Sequence, residues 1–205
     1  MCENWSSDAW AARQLTSHPL GGHGINVRPG RQPGSWRTVV PPRTRQTGLP
    51  GEESRRELLE QLDDAVRLII AAVSEIERPG SLRVDDWSAK DTLGHIAFWH
   101  ESFARNVSAL VNGREPDVLE GTYPNLNQRG VEASRAMTVG RIAGRIRRAQ
   151  ATIRRCIVKL PADTAIPYRK GSRLYSPDEH LAMVRGHIIA HLHRVERARR
   201  RRRSD

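Results

Sequence analysis

Ser176-Pro177-Asp178-Glu179-His180-Leu181-Ala182-Met183-Val184-Arg185-Gly186-His187-Ile188-Ile189-Ala190-His191 is the stretch whose reading decides the fold. It opens as a helix: Ser176 as N-cap, Pro177 at the first helical position, and Glu179 completing a capping box. Leu181, Val184, Ile188, Leu192 and Val195 then recur at three- and four-residue spacing and mark one buried face. His187 and His191 stand one turn apart at the border of that face, a spacing that lets two imidazoles hold one metal ion. His180, seven residues before His187, falls near the same stripe. With 8 histidines in 205 residues, chance gives roughly 0.3 such pairs, so the pair carries weight only with a third ligand. The Glu that follows the first His in zinc proteases is replaced here by Ile188.

Three more amphipathic stripes precede this one. Leu58, Leu62, Val66, Ile69, Ile70, Val73 and Ile76 predict a first helix over 52–77, ended by Pro79-Gly80. Trp87-Ser88-Ala89-Lys90-Asp91 opens a second, with Ser88 as N-cap and Asp91 as its capping acid. Its core positions are Leu93, Ile96, Phe103, Val107 and Leu110, and Asn112-Gly113 ends it. His95 lies beside that stripe. Residues 113–127, with Gly113, Pro116, Gly121 and Pro124, read as a connector. A third helix is expected from about Asn127 to Leu160, with Gly130, Gly140 and Gly144 marking a bend or a close approach. Residues 161–175 read as a loop in which Ile166-Pro167-Tyr168 and Arg173-Leu174-Tyr175 flank a turn at Lys170-Gly171. The fold class is therefore all-α, a four-helix bundle over 52–198. Residues 1–51 are expected to be disordered or extended, since Pro-Gly, Gly-Gly and Pro-Pro break up any apolar period. Residues 199–205 read as a basic tail.

The net charge of +11 raises a nucleic-acid partner as a possibility. Most of the excess lies outside the expected bundle, in the first 50 residues and from Arg194 onward. No nucleic-acid-binding motif accompanies it, so no specific nucleic acid is expected as partner. The longest aliphatic run, Leu68 to Val73, is far too short to span a bilayer. Cys2 and Cys156 are far apart and form no CxxC, which suits a reducing compartment, and the N-terminus has no apolar signal segment. These features together predict a cytoplasmic protein. Cys156 lies in the third apolar stripe and reads as core rather than as a nucleophile.

Trp87-Ser88-Ala89-Lys90-Asp91-Thr92-Leu93-Gly94-His95-Ile96 and His187-Ile188-Ile189-Ala190-His191 together resemble the DinB/YfiT-like family of metalloenzymes. The Trp-Ser-x-Lys-Asp opening and Asn127 lean toward its ClbS/DfsB group. The resemblance covers about residues 53–198. It implies an up-down-down-up bundle in which His95, His187 and His191 bind a divalent metal, zinc or nickel. Its relatives include transferases that use low-molecular-weight thiols and proteins that handle an electrophilic cyclopropane. Helix lengths agree with it. His95 lies seven residues into helix 2, and His191 lies seven residues from the end of helix 4 if that end is near Ala198. Antiparallel packing of the two helices then brings the imidazoles to one level.

The leading expectation is thus a metal-dependent hydrolase or thiol-dependent transferase acting on a small electrophilic molecule. His180 and His100 are its candidate acid/base groups. The alternative is a non-catalytic binding or sequestering bundle, and the third reading is a nucleic-acid-binding module using the Arg-rich end. A small-molecule substrate and no membrane are expected, with room for a homodimer.

Overall fold

The computed structural model describes residues 50–204. The expectation for residues 1–51 falls almost wholly outside that range. The chain forms α1 (Pro50–Ser74), a hairpin of β1 (Arg83–Val84) and β2 (Trp87–Ser88), α2 (Ala89–Val111), α3 (Tyr123–Glu132), α4 (Val139–Ile157) and α5 (Pro177–Ser204). It is mostly helical, with one small antiparallel two-stranded sheet pairing Arg83 with Ser88 and Val84 with Trp87.

The predicted stripes form the core. Leu62, Ile69 and Val73 of α1 are fully buried, as are Leu93 and Val107 of α2, Ile142, Ile146 and Ile153 of α4, and Leu181, Ile188 and Val195 of α5. Each such side chain contributes about 1.5–3 kcal/mol relative to exposure. Cys156 is a buried free thiol within this core. Both predicted capping boxes form. Ser88 Oγ accepts from Asp91 N–H while the Asp91 carboxylate accepts from Ser88 N–H. Ser176 Oγ accepts from Glu179 N–H at 3.3 Å and Glu179 Oε2 accepts from Ser176 N–H at 2.9 Å.

Polar pairs fix which helices lie together. Arg55 on α1 donates to Asp178 of α5 at 2.6 Å and to the Leu160 carbonyl, just past α4, at 2.6 Å. Its buried guanidinium thereby satisfies an orphan carbonyl beyond a helix C-terminus. At the other end of α1, Arg199 of α5 reaches Glu75 at 3.0 Å and the Ala72 carbonyl at 3.4 Å. Between α2 and α4, Arg145 makes a two-pronged bond to Glu101 at 2.6 and 2.8 Å. Lys90 meets the Arg135 carbonyl at 2.7 Å.

Three sequence expectations need correction. The third helix is not continuous from Asn127 to Leu160. It begins at Tyr123, stops at Glu132, and a new helix starts at Val139 behind the N-cap Thr138. A Cβ on Gly130 would meet Phe98 Cβ at 2.9 Å, so α3 lies closely against α2 at that glycine, and the chain turns at 133–138 before α4 starts. Second, the hairpin at 83–88 was not expected; Asp85 takes a left-handed φ of 55° in its turn, a conformation Asp tolerates better than most residues. Third, Arg199–Arg203 do not form a separate tail: they continue α5 to Ser204. The suggested pairing at 161–175 is reduced to one antiparallel bridge, Ile166 with Tyr175. Its turn at Gly171 has φ 77°.

Gly94, next to His95, also sets a packing distance. A Cβ there would lie 2.7 Å from Ser134 Cβ and 3.0 Å from its Oγ. Gly94→Ala is expected to destabilise the fold by about 1–3 kcal/mol through overpacking, despite the better helix propensity of Ala. Urea unfolding reads this as a lowered midpoint; an unchanged or raised midpoint would mean that the Ser134 turn yields without cost.

Candidate metal centre

Three histidines from two helices meet at one point. His95 comes from α2 and His187 and His191 from successive turns of α5. His187 Nε2 lies 3.0 Å from His95 Nε2 and 3.0 Å from His191 Nε2. The three rings stand edge to face, with centroids 4.7–5.1 Å apart. One ligand nitrogen from each lies within 4.8 Å of the others. His95 and His191 are buried, and His187 is half-buried.

Hydrogen bonding accounts poorly for this arrangement. A neutral imidazole has either one N–H or one in-plane lone pair at Nε2. His187 Nε2 therefore cannot make two well-formed bonds to two other Nε2 atoms. One cation between the three would satisfy all of them. Two nitrogens at about 2.1 Å from one ion are separated by about 3.0–3.4 Å for bond angles near 90–110°, close to the two 3.0 Å spacings at His187; the set as a whole spans up to 4.8 Å, so the His95 and His191 rings would close in slightly on an ion. The residues thus fit a divalent ion that favours nitrogen ligands.

The surroundings keep the imidazoles neutral, the form that binds metal. Burial is the main cause for all three. It holds His187 down to about 4, with help from the Arg194 guanidinium and from His100. His95 and His191 lie well below the ordinary range, through burial first and then His187; His95 also opposes His191, and Arg194 acts on both. The outer shell is thin at one point, since His95 Nδ1 is buried without a hydrogen-bond partner.

No protein-family model, curated protein or solved structure matches this chain.

The other candidate residues sit around the triad in different ways. His100 is buried one side of it, with Nε2 2.7 Å from Gln150 Oε1, and burial lowers its pKa to about 4. It shares a small cavity of about 10 Å³ with His187, Ile96, Trp99, Tyr168 and Met183, roughly room for one water. His180 is fully buried and stacked on Phe103 at 3.9 Å between centroids, with Tyr175 and Tyr168 beside it. Neither of its ring nitrogens has a hydrogen-bond partner, and burial lowers its pKa to about 3. His180 is therefore a packed, neutral ring, away from the three converging nitrogens. His193 is exposed. Asn127 accepts a hydrogen bond from Trp99 Nε1 at 2.9 Å, and Trp99 stacks on Tyr168 at 4.8 Å.

Two residues already noted in the sequence, Trp87 and Arg194, were not expected beside the triad. Trp87, at the end of the unforeseen hairpin, places its ring 4.8 Å from that of His95. Arg194, grouped above with the Arg-rich end, instead acts on all three histidines and pairs with Asp85 at 3.5 Å. The available signal was spacing: Arg194 follows His187 by seven and His191 by three, so it shares their side of α5.

Proposed function

We propose that residues 52–198 form a DinB-like, up-down-down-up four-helix bundle, and that His95, His187 and His191 hold a divalent metal, zinc or nickel. The topology is supported by the order of polar pairs. Arg55–Asp178 and Glu75–Arg199 advance together along α1 and α5, and Lys90–Arg135 and Glu101–Arg145 do so from α2 to the turn entering α4 and then α4 itself. Phe103–His180 and His95–His191 run in opposite senses along α2 and α5. The single observation that carries the metal site is the convergence of three Nε2 atoms on one point.

A metal bound there supplies Lewis acidity, lowering the pKa of a coordinated water or thiol. Three imidazoles leave positions open for such a ligand. The chain's own residues hold the imidazoles neutral through burial and Arg194, with the Trp87 ring against His95 and the Trp99–Tyr168 stack lining the cavity beside His187. We read the activity as hydrolysis, or transfer of a low-molecular-weight thiol, on a small electrophilic molecule in the cytoplasm. Among the described residues no helix is long and apolar enough to cross a membrane.

A second reading is non-catalytic sequestration of a metal or an electrophile. The observation favouring it is the water-sized cavity beside His187, too small for a substrate without opening. The two readings separate in one experiment. Zinc- or nickel-loaded protein is incubated with a panel of epoxides and activated esters, with and without a low-molecular-weight thiol, and product is followed over many equivalents. Multiple turnovers support the enzyme; a burst of one equivalent or less supports sequestration.

A further inference from the structure

Behind the histidine triad, a chain of polar side chains crosses the bundle from α2 to α1. His100 Nε2 lies 2.7 Å from Gln150 Oε1, and Gln150 Nε2 donates to Asp63 Oδ1 at 2.6 Å. Asp63 Oδ2 is held by the Arg154 guanidinium. Read from the outside inward, each link fixes the next. Arg154 can only donate, and an ionised carboxylate can only accept. Asp63 therefore requires the amide nitrogen of Gln150 on its side, which turns the Gln150 oxygen toward His100. That oxygen can only accept, so the proton of His100 sits on Nε2 and its lone pair on Nδ1. His100 Nδ1 is buried and has no hydrogen-bond partner, and His100 borders the water-sized cavity shared with His187. A buried acceptor beside a space of that size calls for a donor within it.

We infer that Asp63 and Gln150 are positioning residues that lock His100 in its Nε2–H form, so that Nδ1 offers a hydrogen-bond acceptor to the cavity next to the metal ligands. The group received there is a hydrogen-bond donor: a water, or the hydroxyl, thiol or amine of a ligand that displaces it. A carbonyl or ether oxygen at the same place would face lone pair against lone pair. The site therefore discriminates by donor character in the cavity beside His187, apart from the three converging nitrogens. This inference rests on the proposed metal site for its functional meaning, but the lock itself needs no metal.

The test uses full-length, metal-free protein with nitrogen-15 in its histidines, the His100 signals being assigned by their loss in His100→Asn. Wild type is expected to show a single His100 tautomer, protonated at Nε2. In Asp63→Asn, Arg154 keeps the oxygen of the new side chain, so its NH2 group faces Gln150. Gln150 must then flip, present its own NH2 group to His100, and invert the tautomer to Nδ1–H. Inversion is not an outcome of a merely structural role. A wild-type Nδ1–H form, or a folded Asp63→Asn protein whose His100 keeps the Nε2 proton, overturns the lock. A high-resolution crystal structure of the metal-free protein tests the acceptor: a water is expected about 2.7–3.2 Å from His100 Nδ1, and a dry cavity overturns it. Failure of the metal-site reading appears separately, as lack of metal binding by wild type.

Discussion

His187→Ala is expected to weaken zinc or nickel binding by more than about a hundred-fold, the upper end of what loss of an outer-shell partner alone costs. His187 is the hub of the triad: its Nε2 lies 3.0 Å from both of the other nitrogens. Removing it leaves two ligands, His95 and His191, one from each helix. His191→Ala should act in the same direction. His193→Ala is the control, because that side chain is exposed on another face of α5. Competition titration against a chromophoric chelator reads all three. Equal affinities for wild type and His187→Ala would remove the triad as the binding site.

Acid should unfold the metal-free protein through its buried histidines. Burial lowers the pKa of His100 to about 4 and of His180 to about 3, while in the unfolded chain both titrate near 6.5. The unfolded state therefore takes up protons first as pH falls. The stability from keeping these rings neutral is fully present above about 6.5 and is lost progressively as pH falls through about 4. At pH 4.5 each contributes a loss of roughly 2–3 kcal/mol relative to pH 7. His180→Leu isolates one of them, since this ring is stacked on Phe103 and makes no hydrogen bond. Urea midpoints at pH 7 and 4.5 should fall less in His180→Leu than in wild type. An identical pH dependence in the two proteins would mean that His180 does not titrate on unfolding.

Local chemistry made most of the helices legible. The Ser88/Asp91 and Ser176/Glu179 boxes mark the starts of α2 and α5 because capping involves residues only three apart. The apolar stripes mark the buried faces for the same reason. What could not be read depends on distant contacts. The break between α3 and α4 lies where Gly130 and Ser134 pack closely against Phe98 and Gly94 of α2. Locally, Gly130, Gly140 and Gly144 point to a bend or close approach and the cap Thr138 marks the new start. The hairpin at 83–88 is two residues per strand, too short for any alternation, and its Asp85-Asp86 turn was the sole clue.

The site was legible in part, and one supporting step was wrong. His95, His187 and His191 do meet, but counting back from a helix end near Ala198 was not a sound basis, since α5 runs to Ser204. The helices are aligned by side-chain contacts such as Phe103 on His180 rather than by their ends. His180 carries a site-like spacing in sequence yet lies among aromatic rings. Asp63 and Gln150 gave no sequence signal, because on their own helices they are ordinary polar residues and their pairing spans |i−j| of 87.

Anomalous X-ray diffraction at the zinc or nickel absorption edge, on crystals of the metal-loaded full chain, tests the central claim most directly. One strong peak is expected among the three histidines, at about 2.1 Å from a ring nitrogen of each of His95, His187 and His191. A peak elsewhere, or a loaded crystal with no peak between α2 and α5, would contradict it.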